Sequence, residues 1–177
     1  MQRGKADFGL LLVGILWGLG FVFVKIGLNE GITPFYLLTI RFLVAFIILF
    51  IIFRSRLKNI EKLDLKNGFI IATFLFLGFA FQISGAALTT ASNNAFFTAI
   101  NVIIVPYIFW AIHKHVPNIF SFIAAGLCIL GVGVLSFDSK MQFNQLNEGD
   151  ILTIISALFF AFHIAFTGFL STKSEPI

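Results

Sequence analysis

Charged residues are scarce in this sequence. Asp, Glu, Lys and Arg make up 11% of its 177 residues, whereas an average soluble domain carries about 25%. Hydrophobic residues make up 59%, and the mean hydropathy is +1.01. A water-soluble globular domain is therefore excluded, and the composition predicts an integral membrane protein.

Cysteine and clustered ionisable residues are also scarce. Cys128 is the single cysteine and lies in an apolar segment, so we expect neither a disulfide framework nor a metal site. An enzyme would need several polar side chains converging near one interface, and only His113 and His115 approach such a cluster. We therefore expect no enzyme and no cofactor. The net charge of +4 comes mainly from loops beside apolar segments, so nucleic acid is not an expected partner.

Six apolar runs are long enough to cross a bilayer, which requires about 20 residues. They are Phe8–Leu28, Pro34–Phe53, Gly68–Leu88, Asn94–Ile112, Asn118–Phe137 and Ile151–Leu170. We predict an all-α integral membrane protein, a polytopic helix bundle with about six transmembrane helices.

Lys and Arg are distributed unevenly between the connecting loops. If the N-terminus is cytoplasmic, the basic loops all face the cytoplasm, and Lys140 alone lies in an external loop at residues 138–149. Cytoplasmic loops are generally enriched in Lys and Arg. The sequence thus predicts a multi-pass protein of the plasma (inner) membrane with a cytoplasmic N-terminus.

A polar stripe marks the fourth run. Thr90, Asn94, Thr98 and Asn101 recur at helical spacing and share one face. Pro106 follows and predicts a kink or local unwinding, because it lacks a backbone donor. The stripe either holds helices together or lines a solute pathway.

Ionisable side chains within the spans are functional candidates, because a charge at the bilayer centre costs about 2.5–3.5 kcal/mol. Arg41 lies about 10 Å along its span and either pairs with Glu30 or helix-end carbonyls or attracts an anionic group. Lys25 is a secondary candidate that can reach the interface. His163 either exchanges protons or forms a helix contact. The six predicted spans contain no Asp or Glu. Because proton-coupled export of lipophilic cations commonly uses an acidic residue within the membrane, an exporter of that kind is disfavoured.

Two further rows of residues share helical faces. Trp17, Phe21 and Gln82 can line a cavity, while the glycines among them allow close helix packing. The glycines are Gly14, Gly18, Gly78 and Gly85. The predicted substrate contacts are therefore Trp17, Phe21, Arg41, Gln82, Asn94, Thr98 and Asn101, with Lys25 and His163 as secondary candidates and Pro106 as the helix break.

The chain contains a weak internal repeat. Asp7–Leu28 and Asp150–Ser171 align without gaps. The matched pairs are Asp7 and Asp150, Gly14 and Ala157, Trp17 and Phe160, Gly18 and Ala161, and Phe23 and Phe166. If this reflects duplication, an odd number of spans separates the copies, so the second copy is inverted, as in many secondary transporters.

Several segments resemble the EamA-type repeat of the drug/metabolite transporter superfamily. They are WGLGFVFVK, a second span beginning near Pro34 and carrying Arg41, ALTTASNNAFFTAINVIIVP, GLCILGVGVLS and NEGDILTIISALFFAFHIAF. The resemblance implies an inverted-repeat transporter fold that moves small metabolites by alternating access. On this basis residues 1–137 are the first repeat, 138–149 an external loop and 150–177 the start of the second repeat.

The sequence departs from that family in two ways. It has His113-Lys114-His115 where the family often has a Glu before its fifth span, so no role of that Glu transfers. It also matches one repeat and the first helix of the next, so we expect an incomplete chain or a partner. The expected partners are an amino-acid-like, anionic or zwitterionic solute, the lipid bilayer, and a second half-transporter chain or second copy. The alternative is an accessory subunit without transport activity of its own.

Overall fold

The computed structural model of the chain describes residues 2–55, 57, 60–114, 118–136 and 146–171. Seven α-helices lie within these ranges and confirm the predicted all-α bundle. They are α1 (Gln2–Asn29), α2 (Pro34–Phe53), α3 (Lys62–Leu88), α4 (Ala91–Ala99), α5 (Asn101–His113), α6 (Ile119–Ser136) and α7 (Glu148–Leu170). Five stretches of the described chain are long and apolar enough to cross a membrane: Asp7–Asn29, α2, α3, Ala91–Ile112 and α7.

Helix α2 has the predicted bounds, whereas α3 and α7 begin before the apolar runs do. Both early starts are capping boxes, in which the N-cap residue and the third helical residue exchange hydrogen bonds. Glu61 and Asp64 form the box of α3, and Asn147 and Asp150 form that of α7. The expectation that no Asp or Glu lies in a span is therefore wrong, since α7 carries Asp150 within a candidate span.

The fifth predicted span corresponds to α6, which ends at Ser136. Residues 137–145, which include Lys140 and most of the predicted external loop, lie outside the described residues.

The fourth predicted span is interrupted, but not at Pro106. Helix α4 ends and α5 begins at Ile100, whose backbone N–H bonds to Phe97 O instead of continuing the regular pattern. Pro106 lies inside α5. The Thr98 hydroxyl donates to Asn94 O at 2.7 Å, and such a bond to the preceding turn bends helices. The interruption therefore falls beside the polar side chains, about 1.7 turns before the proline at 3.6 residues per turn.

Helices α3 and α7 form the tightly packed centre of the bundle. A Cβ atom placed on Gly85 would lie 2.6 Å from Gly149 O, and one placed on Gly78 would lie 2.7 Å from the Phe160 ring. The absence of side chains at these points lets the two backbones approach closely, as predicted for Gly78 and Gly85.

Helix α1 packs much more loosely. None of its described side chains is buried. A Cβ atom placed on Gly14 or Gly18 would have no described neighbour within 4 Å. Helix–helix packing by this second glycine row is therefore not seen in the described chain.

Candidate functional site

A cavity of about 120 Å³ lies between helices α1 to α5 and α7. Every residue predicted to contact substrate lines it: Trp17, Phe21, Arg41, Gln82, Asn94, Thr98 and Asn101. Five helices thus bring side chains from distant parts of the sequence into one space. Most of its wall is apolar, with contributions from Leu75, Phe79 and Ile83.

Arg41 supplies a positive charge to this cavity. Its guanidinium carbon lies 4.2 Å from the centroid of the Phe79 ring, which is the geometry of a cation–π contact. Phe79 in turn meets Phe160 edge to face, with centroids 5.0 Å apart. In the described chain no ion pair joins Arg41 to Glu30, so the sequence-based pairing is not seen. Arg41 remains exposed, and its charge is available to a bound group.

Asn94 and Thr98 belong to a hydrogen-bonded network that forms one wall of the cavity. Gln82 Nε2 donates to Thr98 Oγ1 at 3.1 Å, and Asn94 Nδ2 donates to Gln82 O at 3.0 Å. Asn94 Nδ2 also donates to Thr153 Oγ1 on α7 at 2.8 Å. These bonds tie α3, α4 and α7 together, so the wall is held in place.

The other two members of the polar stripe have different surroundings. Thr90 is the N-cap of α4, where its hydroxyl accepts a bond from Asn93 N, and it is exposed. Asn101 is the first residue of α5, lines the cavity, and makes no side-chain hydrogen bond within the described chain. The sequence left two interpretations of the stripe open. Asn94 fits the first interpretation, because its hydrogen bonds hold helices together. Asn101 fits the second, because its amide is free of described partners beside the cavity.

His163 lines the cavity and also bridges two helices. Its Nδ1 lies 3.1 Å from Ile71 O on α3. Because a carbonyl oxygen can only accept, this contact requires the proton on Nδ1. The predicted helix-contact role is thus the one that the geometry shows, and proton exchange stays a prediction.

Lys25 is not part of the cavity wall. Its Nζ donates to Ala86 O at 2.9 Å and to Thr89 O at 2.7 Å, both at the C-terminal end of α3. A cation is favourable there because the last carbonyls of a helix have no partner within the helix. Lys25 therefore bonds to helix-end carbonyls, and its position at the membrane interface stays a prediction.

Asp150 is a buried carboxylate that the sequence analysis missed, with 1% of its surface exposed. Oδ1 accepts from Thr89 Oγ1 at 2.6 Å and from Asn93 Nδ2 at 3.4 Å, while Oδ2 accepts from Asn147 N at 3.0 Å. The spacing of Asn147 and Asp150 before an apolar run is a capping-box signal that indicates the extended helix. The spacing does not predict the hydrogen bond from Thr89, which is distant in sequence.

The internal repeat is reflected in the cavity. The ungapped alignment that places Trp17 on Phe160 also places Gly20 on His163 and Phe21 on Ile164, and all six residues line the same cavity. Helix α1 ends beside the C-terminal end of α3, where α7 begins. The two matched helices therefore run in opposite directions and turn equivalent faces to one space.

Metal-binding side chains do not cluster in the described ranges, where no group of three or more His, Cys, Asp or Glu residues is placed to hold an ion. His113 ends α5, and His115 lies outside the described residues.

Known proteins similar to this chain are transporters. The model of the EamA-like transporter family matches residues 4–137. A protein of Archaeoglobus fulgidus described as an uncharacterized transporter is 36% identical over 176 residues, which is 99% of this chain and 53% of that relative. The chain thus spans about half the length of the relative. No solved structure matches it significantly.

Proposed function

Because this chain belongs to the EamA-like transporter family, we propose that it carries small anionic or zwitterionic metabolites, amino-acid-like in size and charge, across the plasma (inner) membrane. The observation behind the solute class is Arg41, whose guanidinium stacks on Phe79 at the wall of a largely apolar cavity.

The charge of Arg41 needs a counter-charge. No carboxylate lines the described cavity wall, and a cation at membrane depth is costly unless something compensates it. A bound carboxylate or phosphate would do so, since the guanidinium fork matches both groups with two parallel hydrogen bonds. Stacking on Phe79 restricts the guanidinium and so lowers the entropy lost on binding.

The remaining wall suits the rest of such a solute. Asn101 offers an amide oxygen that can accept from an ammonium group, and its amide nitrogen can donate to a carboxylate. Trp17 and Phe21 offer apolar surface to a side chain. A volume of about 120 Å³ is small beside the roughly 300–1,000 Å³ of clefts for drug-sized ligands, which favours a small metabolite.

We further infer alternating access between two inverted repeats. In this proposal residues 1–137 form the first repeat, 138–149 an external loop and 150–177 the start of the second repeat, with the N-terminus in the cytoplasm. The matched and oppositely directed faces of α1 and α7 support it, as does the extent of the family match. The proposed partner is a second half-transporter chain or a second copy of this one.

The second candidate function is an accessory membrane subunit that takes part in transport only within a larger assembly. The observation that favours it is the glycine row of α1: Gly14 and Gly18 meet no described neighbour, and small residues let another helix approach closely.

Uptake into liposomes tests the proposal. The protein is reconstituted alone and with a complementary half-transporter, and uptake of radiolabelled glutamate, glycine, lysine and a neutral sugar is compared. We expect glutamate and glycine to exceed lysine and the sugar. Equal entry of all four solutes would contradict the proposed class, and uptake seen only with the complementary half would favour the second candidate.

A further inference from the structure

We propose that Lys25, Thr89 and Asp150 form a latch that closes one end of the solute cavity, and that the latch opens during transport. This inference rests on the proposed function. The latch end is the end of the bundle where α1 and α3 end and α4 and α7 begin.

The latch joins two opposite charges through one residue. Lys25 Nζ donates to the backbone oxygen of Thr89 at 2.7 Å, and the hydroxyl of the same Thr89 donates to Asp150 Oδ1 at 2.6 Å. Lys25 also donates to Ala86 O at 2.9 Å. A cation on α1 and a carboxylate on α7 thus meet at the C-terminus of α3.

The latch lies directly beside the cavity. Val24 and Ala86 both line the cavity; Val24 precedes Lys25 in sequence, and Ala86 O is one of its two acceptors. The contact of Lys25 with α3 therefore borders the cavity wall at this end. Breaking it separates α1 from α3 next to the solute.

Helix packing indicates which element moves. Asp150 lies on α7, whose backbone interlocks with α3 at Gly85 and Gly149. Helix α1 buries none of its described side chains, so few apolar contacts hold it against α3. Loss of the two Lys25 hydrogen bonds releases α1, while α3 and α7 stay together.

Among the described residues, the opposite end of the bundle shows no matching contact. Asp7 is the repeat equivalent of Asp150, yet it is exposed and makes no hydrogen bond or ion pair within the described chain. Alternating access requires one end closed while the other is open. A satisfied carboxylate at one end and an unpaired equivalent at the other fit that requirement.

Accessibility of the cavity tests the latch without any solute. Cys128→Ser removes the native thiol, and Asn101→Cys places a probe on the cavity wall. The full-length protein in oriented membrane vesicles is then treated with a membrane-impermeant maleimide on the latch-end side. Lys25→Met should raise the labelling rate about tenfold, the shift expected when about 1.4 kcal/mol of closure is lost. Thr89→Val, which removes the bond that anchors Thr89 and its carbonyl to Asp150, should raise the labelling rate by a smaller factor. Asp7→Asn is the control and should not.

Thr89→Val keeps the backbone carbonyl that Lys25 binds and removes only the hydroxyl to Asp150, so it tests the latch if Lys25→Met fails to fold. Unchanged labelling of the folded fraction in both variants would overturn the latch, whatever the protein level. Increased labelling without uptake of any charged solute would uphold the latch and contradict the proposed function, so that the two failures are distinguishable.

Discussion

Asn94 on α4 donates a hydrogen bond of 2.8 Å to the hydroxyl of Thr153 on α7. Both residues are almost completely buried, with 1% and 0% of their surface exposed. The bond joins the segment that matches the family model, residues 4–137, to the helix that aligns with the opening of this segment. It fixes part of the wall of the cavity that Arg41 also lines.

Asn94→Ala and Asn101→Ala should therefore have different effects. Asn94→Ala removes two buried hydrogen bonds and should lower stability by about 0.6–2 kcal/mol, measured as thermal unfolding in detergent. Asn101→Ala removes a free cavity amide, so it should reduce solute uptake and leave the unfolding temperature unchanged. Equal losses of folded protein in the two variants would show that both residues only hold helices together.

Gly85→Ala should disrupt the α3–α7 interface. The new methyl group would lie 2.5 Å from Thr153 Oγ1 and 2.6 Å from Gly149 O, and the latter is backbone that cannot move aside easily. We expect a loss of about 1–3 kcal/mol, measured by thermal unfolding. Gly68→Ala on the same helix is the matched control, because the new methyl group would have no described neighbour within 4 Å. Similar unfolding temperatures for the two variants would contradict the packing described for α3 and α7.

The membrane topology makes a separate prediction. With Cys128 replaced by Ser, Glu30→Cys between α1 and α2 should react with an impermeant maleimide from outside the cell. Ser55→Cys, after α2, should react only in inverted vesicles, because the basic residues around it favour the cytoplasm. Reaction of Ser55→Cys in intact cells would reverse the proposed orientation.

The sequence predicted which residues line the cavity better than it predicted the hydrogen bonds between helices. Helical spacing placed Trp17 and Phe21 on one face of their span and Gln82 on the glycine-rich face of another, because residues three or four apart share a helical face. Arg41 was identified as a charge within a span. The bounds of α2 followed from Pro34, which begins a helix without losing a bond.

Contacts between distant segments could not be predicted from spacing. Lys25 binds carbonyls more than sixty residues away, and a backbone acceptor has no sequence signature. The burial of Asp150 likewise depends on Thr89 from another helix. The interruption at Ile100 lies beside the Thr98 hydroxyl bond, whereas the sequence pointed to Pro106.

The proposed role of Arg41 depends on the absence of a counter-charge beside it among the described residues. Glu30 forms no ion pair with it in the described chain, so Glu30→Gln should leave transport unchanged. Glu30→Gln is the control for the loss of charge in Arg41→Gln, because it also removes one charge near the N-terminal end of α2. A transport defect equal to that of Arg41→Gln would make Arg41 a structural residue paired with Glu30.

Competitive uptake of an anionic and a neutral solute by the Arg41→Gln protein tests the proposed function most directly. We expect glutamate uptake to fall at least about tenfold, since a charge-assisted bond worth about 1.5–3 kcal/mol is lost, with uptake of a neutral amino-acid analogue preserved. Arg41→Lys should recover part of the glutamate uptake, because it keeps the charge and loses the fork. Unchanged glutamate uptake in Arg41→Gln at normal protein levels would contradict the assignment of Arg41 to the solute site.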